Sequence, residues 1–346
     1  IDNFGDKAIC LIVDGEVFEW NSAATDATSS RATIISGAPT ASRHMLVSTP
    51  DRHLVFYGTE TTIGTKSTQD NMFVRFSAVE DINDYTPTAT NDAGTQRLAD
   101  GSRIMGALRG RNAIYVWTDT ALFLMRFVGA PFTFAFEQAG TNCGLIGPHA
   151  AIDYNGTTYW MGFDNFYANT GQVQVLDCTV RKFVFDNLNT TYYDKVYTGI
   201  NSEFREIVWL YVSNDSTECD KYVIFNPEDN YWIYGDNFFT TFRDREIFGN
   251  TITTGATTTG NFLFDNEPSG VFTGDGATLI SFIESADFDI DDGNQLMFMN
   301  RIIPYFELSD NNNLTITPLK KLRKNQINFS IRNKCKKVCI ISRCFR

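Results

Sequence analysis

Residues 155–178 read NGTTYWMGFDNFYANTGQVQVLDC. Three short apolar runs are parted by Asn155-Gly156, Asp164-Asn165 and Asn169-Thr170-Gly171. Asn, Asp and Gly tolerate the left-handed backbone of tight reversals, so this punctuation reads as turns between strands. The same residues admit another reading, a loop-rich active site with Asp164, Trp160 and Cys178 gathered together. The sequence on either side decides between the two.

Strand-like runs recur in groups of about four. HMLVSTP (44–50), RHLVFYG (52–58) and NMFVRFS (71–77) open the series. IMGALRG (104–110), NAIYVWTD (112–119), ALFLMRFVG (121–129) and FTFAFEQ (132–138) follow. A third group is AAIDY (150–154), TTYWMGF (157–163), NFYAN (165–169) and QVQVL (172–176). A fourth is VYTGINSE (196–203), EIVWLYVSN (206–214), DKYVIFNPE (220–228) and NYWIYGD (230–236). A weaker fifth covers TITTGATT (251–258), NFLFDN (261–266) and GVFTG (270–274). Ahead of them all, ICLIVDGEVFEWN (9–21) reads as a hairpin whose partner strands lie upstream of Ile1. Apolar residues at three-to-four spacing are nearly absent, and helices with them.

In three groups the second run carries Trp, and Trp117, Trp160 and Trp209 stand 43 and 49 residues apart. A four-stranded unit recurring at about 40–50 residues is what a propeller blade looks like. Each blade is a meander that cannot bury both faces alone, so blades pack on one another around an axis. A β-sandwich has similar strand spacing, but the repeat favours the propeller. The expected fold is therefore all-β: a β-propeller of four-stranded meander blades over 1–275. After Gly276 the pattern changes. TLISFIESADFDIDDGNQLMFMNRIIPYFEL (278–308) has longer strands and reads as part of a β-sandwich over 276–317.

Composition agrees: among 346 residues, Phe 29, Tyr 14 and Trp 5 are strand formers. No apolar run nears the roughly 18 residues of a membrane helix, so a soluble chain without membrane insertion is expected. The opening IDNFG has no leader character. It lacks an initiator Met and reads as a polar turn, hence as the start of a fragment or processed chain. The formal net charge is −12, from 29 Lys+Arg against 41 Asp+Glu. Residues 320–346 hold 10 basic and no acidic side chains, leaving 19 basic and 41 acidic in 1–319, a net charge of −22. So acidic a body repels phosphate and suits a surface that lets DNA pass without holding it. Cys10, Cys143, Cys178 and Cys219 are scattered singly, as reduced packed thiols are.

Three stretches invite chemistry. Asp287 to Gly293 (DFDIDDG) resembles a calcium loop, yet with Asp287 at position one, Gly293 falls at seven and Phe298 at twelve, where a bidentate Glu is needed. GTNCGLIG (140–147) has neither phosphate-loop spacing, and Cys143 in it has no near His or Lys to activate it. It reads as a tight inter-blade connection. Asp153, Asp164, Asp177 and Glu206 could serve glycoside hydrolysis, but each flanks a turn, where such residues satisfy the backbone. No G-x-S-x-G elbow occurs. His stands only at 44, 53 and 149, so no His/Cys zinc set forms around Cys335, Cys339 and Cys344. No catalytic, cofactor-binding or metal residue is expected, and the chain is not read as an enzyme.

The succession CGLIGPHAAIDYNGTTYWMGFDNFYANTGQVQVLDCTVRKFVFDNLN (143–189), INSEFREIVWLYVSNDSTECDKYVIFNPEDNYWIYG (200–235) and ESADFDIDDGNQLMFMNRIIPYFEL (284–308) resembles the tail nozzle proteins of short-tailed phages. These are also called packaged-DNA stabilization or tail tubular B-type proteins. The resemblance covers roughly residues 40–317 and rests on the order of strand groups. It implies a propeller with a platform-like sandwich, and a hexameric ring in the virion tail, assembled in the host cytoplasm. That ring extends the portal channel, meets portal, adaptor and other tail proteins, and touches passing double-stranded DNA without sequence preference. It implies no active site. The alternative is a carbohydrate-binding or carbohydrate-degrading propeller of the tail. The likeness stops at 317: PLKKLRKNQINFSIRNKCKKVCIISRCFR (318–346) is either a basic arm or a frameshifted, non-native tail, and its three cysteines favour the second.

Overall fold

The computed structural model describes residues 1–244 apart from 22, 24–29, 50, 237 and 238, and beyond 244 short strands only. The chain divides into two compact units, Ile1–Asn266 and Glu267–Arg346.

Among its described residues the first unit holds five four-stranded antiparallel sheets and one of three strands, each a simple meander. Blade 1 is Asp2–Phe4, Lys7–Leu11, Val17–Asn21 and Thr33–Ile34. Blade 2 is His44–Ser48, His53–Tyr57, Phe73–Phe76 and Gly94–Arg97. Blade 3 is Ile104–Arg109, Ile114–Thr118, Ala121–Gly129 and Thr133–Thr141. Blade 4 is Ala151–Tyr154, Thr157–Met161, Phe166–Asn169 and Val173–Val175. Blade 5 is Tyr197–Asn201, Glu206–Tyr211, Lys221–Asn226 and Tyr231–Asp236. Blade 6 is Thr241–Arg243, Ile252–Ala256 and Phe262–Asn266. The first strand of each blade lies against the first strand of the next, from blade 1 to blade 6. Those strands are innermost, and the fold is a β-propeller.

The second strands explain why the repeat is so visible. In a sandwiched sheet, alternate side chains of one strand enter two different interfaces. Along Glu206–Tyr211, Ile207, Trp209 and Tyr211 join the core shared with blades 3 and 4, while Val208 and Leu210 join another toward Tyr197, Phe239 and Phe242. Along His53–Tyr57, Leu54 and Phe56 pack toward blade 1, and Val55 and Tyr57 toward blade 3. Both faces are buried, so these strands read as continuous apolar runs rather than as alternation. The hydrophobic core is accordingly a series of blade-to-blade interfaces.

The shared Trp register is structural. Trp117, Trp160 and Trp209 stand opposite Gly106, Ala151 and Thr198 of the innermost strands. All three are fully buried in one cluster, with Trp117 and Trp160 at 5.5 Å between ring centroids.

Two expectations at the N-terminus are corrected. The stretch IDNFG contains a strand, Asp2–Phe4, and the turn follows it at Gly5 and Asp6. That strand is also the partner of the 9–21 hairpin on one side, pairing Asp2 with Ile9 and Phe4 with Lys7, so this partner is not upstream of Ile1. Asp2 also ties blades together. Its carboxylate accepts from Val47 N at 2.8 Å and pairs with Arg109 at 2.8 Å.

Of the second unit, the sheet pairing Phe282–Glu284 and Thr315–Lys320 with Ile327–Arg332 is described. Most of the expected sandwich (276–317) and tail (318–346) lies outside the described residues, as does Asp287 to Gly293. Among the described residues no helix is long and apolar enough to cross a membrane.

Candidate functional site

Of the carboxylates weighed for hydrolysis, those of Asp153, Asp164 and Glu206 accept hydrogen bonds within their own blades. Asp153 accepts from Gly156 N and from Thr158 Oγ1, both at 3.2 Å, closing the Asn155-Gly156 hairpin. Asp164 accepts from Tyr167 Oη at 3.3 Å, and Glu206 accepts from Tyr231 Oη at 3.0 Å. Asp177 contributes its backbone carbonyl, which accepts from Trp232 Nε1 at 2.9 Å.

GTNCGLIG is the connection between blades 3 and 4. A side chain at Gly144 would drive into the backbone of Asp119, so close approach explains the glycine without any phosphate. Burial pushes the Cys143 thiol up to about 11, and the Cys178 and Cys219 thiols up to about 11 and 12. Thiols shifted this way stay protonated at pH 7, as those of packed side chains do. Among the described residues no group of three or more His, Cys, Asp or Glu could hold a metal ion.

Sequence reasoning missed the feature most like a site. A cavity of about 400 Å³ opens among the innermost strands of blades 3 to 6. Its walls are apolar at Leu108, Leu145, Ile152 and Ile200, with Trp117 and Phe242 adding aromatic faces. Polar groups enter at His149, Thr198, Arg243 and Asp244. Packing of the surrounding strands lowers the pKa of His149, which is therefore neutral at pH 7. His44, on the innermost strand of blade 2, is pushed down to about 4, chiefly by burial and further by His149.

The three register-equivalent tryptophans differ at this cavity. Trp160 donates its indole N–H to the Cys143 carbonyl at 2.9 Å, and Trp209 donates to the Ala150 carbonyl at 3.1 Å. Trp117, which borders the cavity, has a buried Nε1 with no hydrogen-bond partner. Thr198 Oγ1, also at the cavity, is likewise buried without one.

No protein-family model and no curated protein matches the chain. Among solved structures, the chain is similar to that of apo AztD from Citrobacter koseri, at 10% identity and a TM-score of 0.44, over 76% of this chain and 68% of that one.

Proposed function

We propose that the chain is a structural virion protein, one protomer of a phage tail nozzle ring that extends the portal channel, retains packaged DNA and lets it pass on ejection. The succession of strand groups at 143–189, 200–235 and 284–308 carries the reading. Physical arguments support it. A net charge of −22 over residues 1–319 makes the body a poor holder of DNA, which a conduit requires. In this reading a duplex runs through a lumen enclosed by several copies of the chain, which a ring would supply.

The mechanism is mechanical: stacked blades give rigid walls, and contacts between copies hold the ring. Electron microscopy of the full-length protein with portal and adaptor partners tests this. A ring on the portal axis is the expected outcome, and a persistent monomer that never joins the tail would overturn it. A sugar-release assay on host surface polysaccharide tests the carbohydrate-degrading alternative. Turnover abolished by removing Asp153, Asp164, Asp177 or Glu206 would replace the nozzle reading with that one.

A further inference from the structure

Blade 3 carries a projecting hairpin. Its third and fourth strands run nine residues each, against five for its second. The second strand's pairing ends with Ile114 opposite Met125, whereas the third and fourth stay paired out to Gly129 and Thr133. The hairpin therefore overhangs its second strand from Arg126 on, by about 13 Å. The base of the overhang is held in place. Phe127 and Phe134 pack on His53 of blade 2, and Thr133 Oγ1 donates to the Asp92 carbonyl at 2.9 Å. Its end, FVGAPF (127–132), has no polar side chain. Phe132 is 76% exposed, more than any other aromatic ring among the described residues, and Val128 is 54% exposed. The turn closes on itself, with Phe132 N donating to the Gly129 carbonyl at 3.2 Å, and Pro131 has no N–H. Burying this tip therefore strands few donors.

An apolar tip on a fixed arm marks a contact, and the same molecule holds its counterpart. The cavity among the innermost strands of blades 3 to 6 is apolar at Leu108, Leu145, Ile152, Ile200 and Phe242, and none of residues 127–132 lines it. At about 400 Å³ it has the size of a pocket that takes a compact apolar group. The rims match in charge. Arg126 and Glu137 pair at the base of the tip, and Arg243 and Asp244 stand at the cavity. Insertion can set Arg126 against Asp244 and Glu137 against Arg243, so neither rim repels the other. An apolar projection and an apolar pocket at different places on one chain make a head-to-tail contact, which closes into a ring or runs on as a filament. We propose that the blade 3 hairpin tip, with Phe132 as its anchor, inserts into this cavity of a second copy of the chain. The contact goes beyond the nozzle reading. A ring held by other surfaces would leave that reading standing and overturn this one.

Sedimentation velocity of the full chain over a concentration series tests the contact. The unaltered chain should form oligomers larger than a dimer as concentration rises. Phe132→Ser, at an exposed position that leaves the core intact, should weaken association at least about thirtyfold, as loss of an aromatic anchor does. Ile200→Glu, which puts a charge on the cavity wall, should do the same, with circular dichroism to confirm its fold. Ala107→Trp, which fills the same cavity, replaces it if that variant does not fold. Mixing the tip variant with the cavity variant is decisive, because one intact tip then meets one intact cavity. A 1:1 heterodimer and nothing larger is expected. An unaltered chain that stays monomeric would overturn the proposal, as would a Phe132→Ser chain that assembles normally or a mixture that does not pair. Flotation of a monomeric chain with phosphatidylcholine vesicles, lost in Phe132→Ser, would assign the tip to a lipid surface instead.

Discussion

Trp117, Trp160 and Trp209 occupy one register, and their indole N–H groups set them apart. Truncating any of them to Ala would cost roughly 3–5 kcal/mol, because packing dominates at buried aromatic positions. Phe keeps much of that packing and isolates the hydrogen bond. Trp160→Phe forfeits the bond to Cys143 and should therefore destabilise more than Trp117→Phe, by about 1 kcal/mol, in parallel urea titrations. Equal losses would mean that Trp117 is satisfied in solution. His44 gives a pH test. Its folded pKa is about 4, below the ordinary 6.5, because burial disfavours the charged ring. The unfolded chain then binds the extra proton between these values, so His44's contribution is intact above pH 6.5 and is lost as pH falls toward 4. Arg43, Asp14 and His149 also act on this ring, Arg43 and His149 lowering its pKa and Asp14 raising it. Unfolding free energy should drop by at most about 3 kcal/mol across that window. His44→Gln should flatten the slope.

At the scale of elements, glycines separate two kinds of connection. Asn155 and Gly156 have φ of 55° and 81°, the paired left-handed turn of a two-residue hairpin, and the space around Gly156 is open apart from Arg111. Gly156→Ala should cost about 1 kcal/mol, all of it backbone strain. Gly144 is different, since any side chain there meets the Asp119 carbonyl and the Thr120 amide across the blade 3–4 connection. Gly144→Ala should cost about 3 kcal/mol or more, and thermal unfolding of the two variants side by side checks the order. The elements most legible in the sequence were the second strands, whose two buried faces make unbroken apolar runs such as Ile207 to Tyr211. What escaped notice was short or polar. Gly94–Arg97 is largely exposed at the outer edge of blade 2, and Thr241–Arg243 has only three residues. Neither buries enough surface to leave a pattern. Asp2–Phe4 was hidden for the same reason.

On the scale of the whole molecule, the cavity was illegible because its walls run from Ala107 to Asp244 and come from strands of four blades. No local spacing marks such a site, and an indole without an acceptor looks like any other in sequence. Charge, by contrast, was fully legible, and it sets the last prediction. The ten basic residues of 320–346 are the main cationic segment of a chain whose other residues carry −22. At near-physiological salt the full chain should hold duplex DNA more weakly than about 10 µM, within the usual non-specific range. Each phosphate neutralised contributes about −0.9 to the log–log salt slope, so ten cations allow a slope no steeper than about −9. Deleting 320–346 should abolish retention altogether, because the remaining charge repels phosphate at every distance inside the Debye length. Filter binding of both forms across a salt series measures this. Retention by the shortened chain would place an attractive surface on the acidic body, and a conduit built from such surfaces would hold DNA back during ejection.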